Sequence, residues 1–118
     1  MRKILICDDS ITDLTNIKTI VENAGALTIT ASNGREALEK AQSERPDLIF
    51  LDIIMPEMDG FETCRKLRDH PDTKDIPVVF VTTKNQKADR LWAQMQGAKD
   101  LISKPYKADQ ILEKIGAL

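Results

Sequence analysis

At 118 residues, with 42% hydrophobic and 31% charged side chains, the chain has the size and composition of one globular domain, and its apolar runs are far too short to span a bilayer. A net charge of −2 argues against an obligate nucleic-acid binder. The two cysteines, Cys7 and Cys64, lack CxxC spacing and histidine partners, so neither a disulfide framework nor a zinc site is expected, only reduced thiols in a cytoplasmic protein.

The opening MRKILICDDS meets acids too early for a secretion signal, and its KILIC core, Lys3–Cys7, has the length and apolarity of a buried strand. Ser10 with Asp13 three residues on is a capping signature. Ile11, Leu14, Ile17, Val21 and Ala24 then trace a helical stripe that Gly25 ends. Leu27–Thr30 alternates apolar and polar residues, as a half-exposed strand near a sheet edge does. After the Asn33-Gly34 turn, Ala37, Leu38 and Ala41 mark a second helix that must stop before Pro46.

Leu48–Leu51 is the most apolar run and is expected to be the central strand. It stops at one carboxylate, Asp52, before apolar residues resume with Ile53, Ile54 and Met55. Asp59 and Glu62 repeat the cap spacing ahead of a third helix with Phe61, Cys64 and Leu67 facing inward, and a polar loop, residues 70–77, leads to a strand over Val78–Val81. Ala88, Leu91, Trp92 and Met95 are spaced for the buried stripe of a fourth helix that Gly97 closes, which makes Trp92 a core residue. Leu101-Ile102 is a short fifth strand, and Ile111, Leu112 and Ile115 give a last helix its inward face.

Five strand–helix alternations imply an α/β domain with a parallel sheet, right-handed crossovers and helices on both faces. Ligands bind such sheets beyond the carboxyl ends of the strands. At that edge the sequence places Asp8-Asp9, Asp52, Thr82-Thr83 and Ser103-Lys104-Pro105. Two carboxylates about 4 Å apart repel by about 4 kcal/mol at an effective dielectric near 20, so three acids call for a shared cation. An all-oxygen set with few carboxylates suits Mg2+ or Mn2+. With the cation present, Asp52 could act as a nucleophile toward phosphorus, while Thr82 and Lys104 supply donors to the phosphoryl oxygens. A covalent phosphoryl group pulling on Thr82 and Lys104 would make the site a switch.

The segments ILICDDS, LDIIMPEMDGFE, VVFVTT and QGAKDLISKPY, in this order and spacing, resemble the receiver domain of two-component response regulators over essentially the whole chain, residues 1–118. The resemblance implies a three-layer, doubly wound (βα)5 flavodoxin-like fold with strand order 2-1-3-4-5. It implies Asp52 as phosphoacceptor, with Mg2+ held by Asp9, Asp52 and the backbone carbonyl of Ile54, and by Asp8 mainly through water. Thr82 and Lys104 would bind the phosphoryl group, and Lys104-Pro105 would be a cis peptide. The donor would be a phosphohistidine on a sensor histidine kinase or phosphotransfer domain, and hydrolysis would reset the switch.

Receivers usually carry an aromatic residue three positions before the lysine, where its rotamer reports phosphorylation; here that residue is Leu101, so an aromatic switch is in doubt. Tyr106 lies after the proline and is expected to pack at the foot of the last helix. The stretch VTTKNQKADRLWAQMQGAKD is further similar to receivers of type IV pilus chemotaxis systems.

No output domain is expected after Leu118, so the favoured function is a monomeric stand-alone switch that docks on another protein. Docking would use the face of the fourth helix, fifth strand and fifth helix, with Thr83, Lys87, Arg90, Leu101 and Pro105. Residues 84–107 hold six basic and two acidic side chains, a net +4 against −6 for the remainder, so the partner is expected to bring acids. Three alternatives bear on this. A phosphohydrolase of the aspartyl-phosphate type would want an acid two residues after the nucleophile, where Ile54 stands. A phosphorylation-independent scaffold is kept open by Leu101. A flavodoxin-like redox carrier is disfavoured by acids where a flavin phosphate would need donors.

Overall fold

The computed structural model describes all 118 residues. Five strands and five helices alternate: β1 (Lys3–Cys7), α1 (Ile11–Asn23), β2 (Leu27–Ala31), α2 (Gly34–Glu44), β3 (Leu48–Leu51), α3 (Gly60–Asp69), β4 (Val78–Thr82), α4 (Lys87–Met95), β5 (Asp100–Ser103) and α5 (Ala108–Gly116). The strands form one parallel sheet in the order β2-β1-β3-β4-β5, the doubly wound arrangement expected. No helix is long and apolar enough to cross a membrane.

Two apolar layers hold the helices to the sheet, because alternate side chains of each strand point to opposite faces. Ile4 and Ile6 of β1, Phe50 of β3 and Val79 and Val81 of β4 pack against Ile17 and Val21 of α1 and Ile111 and Ile115 of α5. Leu5, Ile49, Leu51 and Phe80 pack on the other face against Ala37 and Ala41 of α2, Cys64 and Leu67 of α3 and Ala93 of α4. All four residues of β3 are buried, since both its faces are covered, whereas edge strand β2 has only Ala31 fully buried.

The helix starts follow the caps. Ser10 Oγ accepts from the Asp13 N–H at 3.3 Å, Asn33 Oδ1 from Glu36 at 2.8 Å and Asp59 Oδ1 from Glu62 at 2.9 Å, each satisfying an amide that the first turn leaves without a partner. Gly25 and Gly97, both at φ +85°, end α1 and α4 in the left-handed region. Gly60 opens α3 so close to the end of β3 that a Cβ there would overlap the Asp52 carbonyl oxygen and stand 2.7 Å from Ile53 Cα.

Three apolar stripes differ from expectation. Ile11 is 81% exposed, because the first turn of α1 stands above the sheet edge; the inward positions are Ile17 and Val21. Leu112 is 38% exposed, on the shoulder of an α5 face built by Ile111 and Ile115. The largest departure is α4: Leu91, Trp92 and Met95 are 58%, 51% and 65% exposed, and the helix instead seats Asp89 and Ala93 on the sheet. Trp92 is therefore not a core residue. Its ring leans on Phe61 of α3, centroid to centroid 6.5 Å, and presents its other side to solvent. The contact that turns α4 this way is polar: the Arg90 guanidinium donates to the Leu101 carbonyl at 3.1 Å and to Ser103 Oγ at 3.0 Å on β5. Asp89 closes the helix start, accepting from the Gln86 N–H at 2.9 Å and pairing with Lys84.

Candidate functional site

The sheet ladder carries the chain one residue past the strand ends and so sets the backbone of the site. The Asp8 N–H donates to Ala31 O at 3.2 Å, Asp52 N–H to Cys7 O at 3.0 Å and Lys104 N–H to Thr82 O at 2.9 Å. Asp8 and Asp52 therefore leave β1 and β3 side by side, and Lys104 leaves β5 beside the end of β4. Each side chain is then tied locally. Asp8 Oδ1 accepts from the Ser10 N–H at 2.9 Å, and Asp52 Oδ1 accepts from the Ile54 N–H at 3.2 Å.

Lys104 Nζ gathers the acids. It donates to Asp8 Oδ2 at 2.8 Å, Asp13 Oδ2 at 2.8 Å and Asp52 Oδ2 at 3.1 Å. Asp8 and Asp52 are buried and Asp9 is exposed, and one oxygen from each of these three acids lies within 4.8 Å of the others. Burial pushes the Asp8 carboxyl up, against the pull of its hydrogen bonds to Lys104 and Ser10. Burial would lower Lys104, but hydrogen bonds to Asp13, Asp8 and Asp52 outweigh it and hold the ammonium above its ordinary range. One lysine thus answers four nearby carboxylates, which leaves an excess of negative charge at the rim.

The remaining candidates fall around this cluster. Thr82 is fully buried, and its Oγ1 accepts from the Lys84 N–H at 3.1 Å, which leaves its own proton free to donate. Thr83 and Pro105 are exposed and line a groove of about 660 Å³ with Asp13, Asn16, Lys104 and Tyr106. The Lys104-Pro105 bond is cis. Ile54 is 54% exposed beside the acids. Leu101 is buried against the layer that holds Phe80 and Ala93, Lys87 is exposed at the start of α4, and Arg90 is committed to β5 as described. Tyr106 packs partly against the layer under α1 and α5.

Asp13 was missed as a site residue. Its sequence position marks only a capped first turn, and its lysine partner is 91 residues away. The one signal is that Asp13, an acid in the first turn of α1, follows the Asp8-Asp9 pair closely across the Ser10 cap. The cysteines stay outside the chemistry: burial first, with neighbouring acids, pushes the Cys7 thiol up to about 12, and burial pushes Cys64 up to about 11, so both remain protonated at neutral pH.

A divalent cation fits these residues on the chemistry of the donors. Three carboxylates converge without a sulfur or imidazole, and the single ammonium leaves them under-neutralised.

The chain matches the response regulator receiver domain family over residues 4–116. The chain belongs to that family. Receiver domains of this family are typically signalling modules of two-component phosphorelays. Protein PilH of Pseudomonas aeruginosa is 38% identical to this receiver over 118 residues, spanning all of this chain and 98% of that protein. Chemotaxis protein CheY4 of Vibrio cholerae superposes with a TM-score of 0.93 at 33% identity, covering 99% of this receiver and 98% of that chain. The receiver domain of the sensor histidine kinase PA1611 from Pseudomonas aeruginosa, whose structure holds a magnesium ion in the active-site cleft, superposes with a TM-score of 0.87 at 25% identity, covering 97% and 93%.

Proposed function

We propose that this receiver is a stand-alone phosphorylatable switch, in which Asp52 accepts a phosphoryl group from a phosphohistidine of a sensor histidine kinase or phosphotransfer domain, in a Mg2+-dependent reaction. The observation that carries the reading is the convergence of the Asp8 and Asp52 carboxylates on the Lys104 ammonium at the carboxyl edge of the sheet. Its use as a stand-alone unit is supported by the match to PilH across nearly that protein's whole length.

An Asp52 carboxylate oxygen attacks phosphorus, and the bond from phosphorus to the donor imidazole nitrogen breaks. The electron pair stays on that nitrogen, which takes up a proton, and Asp52 becomes an acyl phosphate. Mg2+, held by Asp8, Asp9, Asp52 and the Ile54 carbonyl, would supply the neutralising charge that lets two anions meet. Lys104 turns from the carboxylates to a phosphoryl oxygen, and the free Thr82 proton donates to another. Attack of water on the acyl phosphate releases inorganic phosphate and restores the Asp52 carboxylate.

The phosphorylated protein docks through α4. Its apolar stripe, Leu91, Trp92 and Met95, lies open beside the exposed Lys87 and within the basic stretch noted above. Full burial of each such side chain contributes about 1.5–3 kcal/mol, of which the fold itself leaves roughly half unrealised here. The partner this surface suits is a protein segment with an apolar face flanked by acids, since a second copy of α4 would set Lys87 against Lys87. A place in type IV pilus signalling is supported by the sequence around α4 and by the identity to PilH.

Incubation with acetyl phosphate and Mg2+, followed by intact-mass measurement, should show one added phosphoryl group, labile to hydroxylamine and absent in Asp52→Asn. Phosphoryl incorporation that survives Asp52→Asn would overturn the assignment.

A further inference from the structure

The role of Asp13 goes beyond a cap. Its carboxylate takes one of the three Lys104 protons, at 2.8 Å, a shorter contact than the 3.1 Å from Lys104 to Asp52. An ammonium has three donors, and Asp8, Asp13 and Asp52 occupy all of them, so a phosphoryl oxygen can reach Lys104 only by displacing one. Asp13 sits where it does because Ser10 caps α1 through the Asp13 amide, which aims the first-turn side chain back over the sheet edge toward β5. Of the acids on Lys104 it is the most exposed, with 39% of its side chain accessible against 2% for Asp8 and 8% for Asp52.

The charges give the contact a direction. Asp8, Asp9, Asp13 and Asp52 set four negative charges against one ammonium. A divalent cation brings that group to −1, and it would be neutral without Asp13. A phosphoryl group on Asp52 adds negative charge to a site that Asp13 already keeps uncompensated.

We propose that Asp13 is a positioning residue that keeps one Lys104 donor occupied, so that the receiver binds its divalent cation more tightly and a phosphoryl group less tightly than the Asp8, Asp9, Asp52 and Lys104 set would alone. This rests on the phosphoacceptor reading. It makes Asp13 a restraint on the switch, since the resting state keeps its lysine engaged on α1 until a phosphoryl oxygen competes for it. The effect works through Lys104 and through the local field, and Asp13 itself touches neither the nucleophile nor the reacting phosphorus.

The test is a pair of titrations on wild type, Asp13→Asn and Asp13→Glu, followed by amide NMR, which also reports that each variant is folded. MgCl2 alone is titrated first; beryllofluoride is then titrated at saturating Mg2+, so that the metal effect does not enter the second affinity. For Asp13→Asn the expected result is Mg2+ affinity weakened about threefold to tenfold and beryllofluoride affinity strengthened by a similar factor, the size expected for one unit charge at a partly screened site. Asp13→Glu, which keeps the charge, should stay within about twofold of wild type in both. A purely structural role would move both affinities the same way, and that result, or no change in either, would overturn the inference while leaving the phosphoacceptor reading intact. Wild-type protein that binds neither Mg2+ nor beryllofluoride would overturn both.

Discussion

Helices α4 and α5 are matched in length, each following an inner or edge strand of the same half of the sheet, and both carry apolar residues at helical spacing, yet they use them in opposite ways. In α5, Ile111 and Ile115 are buried against the sheet; in α4, Leu91, Trp92 and Met95 face solvent and Asp89 and Ala93 take the inward positions. An apolar stripe states that a helix has a partner surface without stating whether that surface belongs to the same chain. For α5 it does, and for α4 the polar ties from Arg90 to β5 turn the stripe outward.

The comparison breaks first, and most visibly, in stability. Ile111→Ala should lower unfolding free energy by about 2–4 kcal/mol in urea denaturation, through lost burial and a cavity. Trp92→Ala should cost less than about 1 kcal/mol, because half of its surface is already in water and only its contact with Phe61 is lost. Equal costs would mean that the α4 stripe supports the fold. The comparison sharpens in binding, where replacing Leu91 and Trp92 by serine should lower affinity for the downstream protein at least about tenfold, measured by calorimetry with phosphorylated protein, while the fold stays intact.

The rim of the sheet shows the same division on a smaller scale. Burial raises the Asp8 carboxyl, so its proton is favoured by folding; stability from this group is largest at acidic pH and is lost as pH rises through the ordinary carboxylate range and on through the raised folded value. At neutral pH the ionised Asp8 is a cost that Lys104 only partly offsets. In EDTA, Asp8→Asn should therefore unfold at a higher temperature than wild type, and added Mg2+ should narrow or reverse the order by stabilising wild type more. The smallest expected effect is at an exposed pair: Lys66→Ala, which breaks the 3.3 Å contact with Glu62 on α3, should change stability by no more than about 0.5 kcal/mol.

Much of the fold was legible because its determinants are local. KILIC, LIFL and the Val78–Val81 run are too short and too apolar for anything but covered strands, and Ser10 and Asp59 announce the helices they cap. The convergence of Asp8, Asp52 and Lys104 followed from one topological rule about strand ends. What escaped depends on contacts across the chain. The outward turn of α4 is decided by Arg90 reaching Leu101 and Ser103 on β5, and the exposure of Ile11 by the height of the first turn of α1 above the sheet. Asp13 carried a capping position in sequence and nothing that named a lysine from the far end of the domain.

The most direct test of the central claim is the amide NMR spectrum of the Mg2+-loaded protein before and after beryllofluoride. The account predicts shifts centred on Asp52 that extend to Thr82 and Lys104, require Mg2+, and vanish in Asp52→Asn. A spectrum unmoved by either addition, or one that moves equally in Asp52→Asn, would contradict it.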